Sequence, residues 1–154
     1  DKNKTMRKAT MLDMLWFFSR ATIFFQKQSM FDSPIEYLFH ISLLETLPTQ
    51  LCDKVYIDLQ QSFCEDKYKV DIVIKHKDSE GEPIVIVECD GYRSHYSSQK
   101  QATKTVSRSR NIQMDNENVQ IFHYTGKEIY DDCIGLAKKL WAFVEKKLTK
   151  AAAE

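Results

Sequence analysis

Hydrophobic and polar positions change rhythm along the chain, and the changes divide it into elements. From 6 to 28 apolar residues dominate, with Trp16, Phe17, Phe18, Phe24 and Phe25 among them. The stretch predicts a helix with more apolar surface than one face needs. That surplus suits a core helix, or a docking surface for a second copy or for another part of a longer protein. A second helix is expected to open at "SPIE". Ser33 can cap, Pro34 takes the first helical position, and Glu36 stands where a capping box wants an acid. It runs to about Leu47, and Pro48 stops it.

The period then shortens. In "KVYIDLQQSF", residues 54–63, Val55, Ile57 and Leu59 alternate with Tyr56, Asp58 and Gln60, as in a half-buried strand. "YKVDIVIK", residues 68–75, predicts a second strand, and "DSEGEP" a turn. "IVIVE", residues 84–88, is apolar on both faces and predicts a central strand. Short connections make these strands an antiparallel meander. Residues 96 to about 116 are polar, lack glycine and proline, and suit a helix. "VQIFHY" predicts a last strand and "TGK" a turn. A final amphipathic helix then carries Ile134, Ala137, Leu140, Trp141, Val144 and Leu148. After the leading helix the order is α-β-β-β-α-β-α. Residues 31–150 are expected to form one domain, with 1–30 as a helical extension.

Composition narrows the class. At 154 residues and 43% hydrophobic, the chain is suited to one globular core. Twenty-two basic and twenty-two acidic residues cancel, so net charge is silent about partners and local distribution must speak. Cys52, Cys64, Cys89 and Cys133 show no CxxC spacing, which favours buried thiols in a reduced, cytoplasmic protein. Nor do they combine with His40, His76, His95 or His123 at zinc-site spacings. The most apolar stretch, 11–25, is interrupted by Asp13 and Arg20 and is too short to span a bilayer, so no membrane partner is expected. The opening "DKNKTMRKAT" and the closing "KLTKAAAE", which looks like a cloning remnant, suggest a domain excised from a longer protein.

The chemistry concentrates in "IVIVECDGYRSH". Residues two apart in a strand point to one side, so Glu88 and Asp90 project together and Gly91 permits a sharp exit. A meander turning at 78–83 puts Asp71 opposite roughly Asp90, so that three carboxylates share a small patch. Such charges repel, and either protonation of one acid or a bound divalent cation relieves them. Hard oxygen donors suit Mg2+, with Mn2+ as substitute. The competing readings are a salt bridge from Asp71 to Lys69 and a plain "DG" turn. From Gly91 to Met114 the chain holds Arg93, Lys100, Lys104, Arg108 and Arg110 and no acid. Lys100, Lys104 and Arg108, spaced four apart, share one helix face that suits a polyanion such as DNA, or else is an ordinary solvated face. His95 is placed to assist proton transfer, to cap the following helix, or to sit in solvent.

"YKVDIVI", "IVIVECDGYRSH", "SRSRN" and "VQIFHYTGKEI", in this order, resemble the PD-(D/E)XK, or restriction-endonuclease-like, nuclease superfamily. The likeness is to its very-short-patch-repair-like branch with an E-x-D-G-x-x-x-H pattern, and it covers about 33–148. It implies an α/β fold: a restriction-endonuclease-like αβββαβ core with a mixed central sheet flanked by helices, here with an extra N-terminal helix. It also implies a metal-dependent endonuclease acting on DNA. Asp71 and Glu88 match metal-binding acids, and His95 matches the branch's histidine. Asp90 falls where many members carry a catalytic lysine. Glu36 resembles an acid that often completes the site, and Arg108 or Arg110 a polar position on the next helix. The missing lysine leaves a second expectation open, a catalytically degenerate nucleic-acid-binding or assembly module. Other domains of the parent protein, and a homodimer through the N-terminal aromatic helix, are the further partners expected.

Overall fold

The computed structural model describes residues 33–78, 81–90 and 99–153, with the backbone alone described at 99–101. The helix expected over 6–28, the dimer interface placed on it, and His95 lie outside the described residues. Helix α1 (Pro34–Thr46) is followed by a single 3-10 turn, Thr49–Leu51. Then come β1 (Val55–Phe63), β2 (Tyr68–His76), β3 (Pro83–Asp90), α2 (Gln99–Asp115), β4 (Gln120–Thr125) and α3 (Gly126–Ala151).

The strands lie side by side in the order β1-β2-β3-β4. The first three form the antiparallel meander that the short connections predict. Strand β4 returns parallel to β3, which requires a crossover, and α2 supplies it. The protein is therefore α/β, with a mixed four-stranded sheet flanked by helices.

Apolar residues sit on both sheet faces. On one, Ile72, Ile74, Val85 and Val87 pack with Leu38, Phe39 and Leu43 of α1 and with Ile129, Leu140, Trp141 and Val144 of α3. The buried Trp141 indole donates to the Leu43 carbonyl at 3.0 Å, which satisfies its polar edge. On the other face Phe63, Val70, Val73 and Ile86 meet Ile112 of α2 and Val119. Covered on both sides, β3 is buried along nearly its whole length, the physical reason for its unbroken apolar run.

Some local expectations change. "TGK" is not a free turn: Thr125 caps α3, accepting the Glu128 N–H while the Glu128 side chain accepts from Thr125. The pattern Thr-x-x-Glu is a capping box. Helix α3 is also interrupted at Asp132 (φ −157°, ψ 60°), whose carboxylate re-caps the chain by accepting the Gly135 N–H at 3.0 Å. Cys52 is exposed and Cys64 half-buried; Cys89 and Cys133 are buried, and all are free thiols. No helix among the described residues is long and apolar enough to cross a membrane.

Candidate active site

The site forms where the regular ladder of the sheet breaks. Strand β1 pairs with β2 through Leu59–Ile72 and Gln61–Val70, but Gln60 and Asp71 between them are not paired. Gln60 has a left-handed backbone (φ 52°). Both strands change face there. Leu59 and Ile72 pack toward α1 and α3, whereas Phe63 and Val70 pack toward α2. The kink turns Asp71 out of the ladder and toward β3.

The β2–β3 pairing ends at Ile72–Val87, so one step further Asp71 stands level with Glu88. The sequence estimate put it opposite Asp90. The pairing is already offset from that estimate at Lys75–Pro83, beside the turn, and the irregularity between Ile74 and Lys75 recovers only part of the offset. The Asp71 carboxylate accepts the Cys89 N–H at 2.7 Å, a side-chain bond to β3 just past the last backbone pair.

Glu88 and Asp90 alternate with Val87 and Cys89 and share the side of Ile86, which faces α2. Both are buried, Glu88 at 6% and Asp90 at 4% exposure. Arg108 of α2 reaches Glu88, with Nη2 at 2.7 Å from Oε1. The same nitrogen donates to the Lys69 carbonyl. The Arg108 Nε is buried without a hydrogen-bond partner. Asp90 meets His123 of β4, Oδ2 to Nδ1 at 3.1 Å. The other ring nitrogen of His123 lies 3.1 Å from the Ser109 hydroxyl of α2.

Glu36 belongs to the same neighbourhood from the opposite layer. The Ser33 hydroxyl accepts the Glu36 N–H at 3.4 Å and donates to its carboxylate at 3.1 Å. Gln60 Nε2 donates to the other carboxylate oxygen at 2.8 Å. Glu36 is thus both part of the helix start and linked to the kink beside Asp71. Cys89 joins the group: burial pushes its thiol well above the ordinary range, and Asp71, Glu36, Glu88 and Asp90 push it further.

The charge balance is uneven. Burial drives the Glu88 carboxyl up to about 8, Arg108 pulls it down, and Asp71 and Asp90 push it up again. Burial outweighs the ion pair because desolvation of a carboxylate is not recovered by one partner.

Lys104 and Arg110 are exposed on α2. Of the two arginines considered for the position on that helix, Arg108 is the one that turns inward to the acids. Lys100 lies in the first turn of α2, with its side chain outside the described residues. His123 and Ser109 are additions that the sequence did not single out. The signal was the parallel register that sets His123 beside Glu88, legible only once β4 is known to run parallel to β3.

Among the described residues, no three histidine, cysteine, aspartate or glutamate side chains are gathered as ligands of one metal ion. Asp71 is turned to a backbone N–H, Glu88 to Arg108 and Asp90 to His123. The donor chemistry nevertheless fits a hard divalent cation: the acids are oxygen ligands, and Glu88 is raised by burial first and then by Asp71 and Asp90 beside it. No protein-family profile, curated protein or solved structure matches the chain.

Proposed function

We propose that the chain is a divalent-metal-dependent endonuclease domain of the restriction-endonuclease-like kind that hydrolyses phosphodiester bonds of DNA. The observation that carries this reading is the delivery of Glu88 and Asp90 to one side of β3, with Asp71 level with Glu88 and Arg108 of the basic helix reaching Glu88. Two buried acids beside a third repel one another, and a bound cation relieves that repulsion without the protonation that the raised Glu88 carboxyl otherwise favours.

In this reading Asp71, Glu88 and Asp90 hold Mg2+, for which Mn2+ substitutes. The ion, when bound, activates a water and offsets charge on the attacked phosphate. The chain's own residues do the rest. Lys104 and Arg110 hold the backbone by charge. Asp71 anchors the end of β3 through Cys89, and His123 fixes the rotamer of Asp90. Glu36 lends further negative charge from α1 through the Gln60 contact. His95 would serve in proton transfer.

A second reading is a nucleic-acid-binding or assembly module with a degenerate site. It is favoured by the protein partner that each of the three acids already has, and by Asp90 standing where a lysine is common in the resembling superfamily.

Plasmid cleavage with Mg2+, Mn2+ or EDTA separates the two, comparing the parent chain with Asp71→Asn and Glu88→Gln. Nicking or linearisation that needs the metal and is lost in both variants is the expected result. DNA retardation that persists in EDTA, with no cleavage under either metal, establishes the binding module instead.

A further inference from the structure

We propose that Arg108 is the residue through which a phosphate backbone opens the acidic site to a divalent cation. The inference rests on the reading that Asp71, Glu88 and Asp90 take such a cation. Asp71 is tied to a backbone N–H, and Asp90 to a histidine on the neighbouring strand. Glu88 is different: its partner is a permanent cation on a long side chain from another element.

Arg108 already supplies the positive charge that Glu88 calls for, at 2.7 Å from its oxygen. A metal ion and a guanidinium on the same carboxylate repel each other, so each weakens the hold of the other. The cation site is therefore weakened while Arg108 stays on Glu88 Oε1. Its present seat is incomplete, however. One nitrogen serves both Glu88 and the Lys69 carbonyl, and Nε is buried without a partner. A buried donor left without a partner keeps its desolvation cost unrepaid. A phosphate offers the guanidinium two parallel hydrogen bonds and satisfies that donor. A quarter of the side chain is exposed, and Lys104, one turn earlier on α2, is exposed too. A phosphate approaching α2 therefore meets Lys104 and Arg108 together. Its arrival draws Arg108 away and leaves Glu88 to the metal. Nucleic acid and cation then bind with positive linkage, each tightening the other by the same factor.

The test is Mn2+ binding, read from the electron paramagnetic resonance signal of the free ion. It uses the 154-residue chain with and without a short phosphorothioate duplex that resists hydrolysis, after subtracting Mn2+ held by the duplex alone. The parent chain is expected to bind Mn2+ weakly alone and roughly tenfold more tightly with the duplex, an ordinary coupling. Arg108→Gln should bind Mn2+ roughly tenfold more tightly without the duplex and gain nothing from it. Glu88→Gln should weaken binding in every setting. If Arg108→Gln does not fold, the two measurements on the parent chain decide alone. Equal Mn2+ affinity with and without the duplex, still weakened by Glu88→Gln, overturns the proposal and leaves the metal reading standing. Mn2+ binding that Glu88→Gln does not change overturns both.

Discussion

The Asp71 carboxylate accepts the Cys89 N–H at 2.7 Å, one step beyond the last backbone pair between β2 and β3. A side chain thus continues the sheet where the main chain has stopped. The same residue is the first acid of the proposed metal set, so its structural and chemical duties are separable only by choosing the substitution. Asp71→Ala removes the acceptor and leaves the N–H of a buried residue without it, at a cost of about 1–3 kcal/mol. Asp71→Asn keeps an acceptor oxygen and should cost less than half as much, while removing the charge. Urea denaturation measures the difference, and amide hydrogen exchange at Cys89 locates it. Equal stability of Asp71→Ala and the parent chain would show that the bond contributes nothing.

Glu88 gives the protein a pH signature. Its folded-state carboxyl is raised from 4.5 to about 8, first by burial and then by Asp71 and Asp90 against the pull of Arg108. The folded state therefore holds this proton more tightly than the unfolded chain. Stability is greatest below about pH 4.5, as far as this group alone goes, and falls as pH rises toward 8. The slope approaches about 1.4 kcal/mol per pH unit at most, the value for one proton. Denaturation at intervals from pH 5 to 8 should show the decline in the parent chain and a flatter profile in Glu88→Gln. Parallel profiles for the two proteins would remove Glu88 as the cause.

Sequence and structure agree where one element suffices to read the pattern. The apolar run of β3 betrays a strand covered on both faces, and Ser33-Pro34 marks the start of α1 within a residue. The two acids on one side of β3 follow from strand alternation alone. The rest depends on relations between elements. Gln60 takes a left-handed backbone although it is not glycine, and the face change it makes at Asp71 cannot be read from alternation that looks regular. The pairing already sets Lys75 opposite Pro83 beside the turn, which leaves Asp71 level with Glu88 and not with Asp90. His123 meets Asp90, and Ser109 meets His123, only because β4 is parallel to β3 and α2 lies across both. The capping box at Thr125 and Glu128 was legible, but the adjacent Gly126 reads as a turn.

The chain from Asp90 through His123 to Ser109 should behave as one unit. Asp90 is buried, and His123 is its partner on β4. His123→Ala leaves that carboxylate without this partner and should cost about 1–3 kcal/mol. Ser109→Ala breaks only the outer bond and should cost about 1 kcal/mol or less. Since the serine contact runs through the histidine, Ser109→Ala should add almost nothing in the His123→Ala background. A double-mutant cycle by chemical denaturation tests this. Fully additive costs would mean that the two contacts are independent.

Asp132 and Gly135 set the kink in α3 by excluding each other's alternatives. Asp132 leaves the helical backbone and turns its carboxylate onto the Gly135 N–H. A Cβ at Gly135 would lie 2.1 Å from Asp132 Oδ2 and 2.6 Å from its Cγ, so the carboxylate must move and the cap is lost. Gly135→Ala alone should therefore destabilise the protein by about 1 kcal/mol, as loss of a cap does, despite alanine's better helix propensity. In an Asp132→Ala background the obstacle is gone. There the same substitution should be neutral or stabilising by up to about 1 kcal/mol, the helix-propensity difference between glycine and alanine. Thermal denaturation of the four proteins reads out the change of sign. If Gly135→Ala has the same effect in both backgrounds, the Asp132 carboxylate does not hold the second segment of α3 in place.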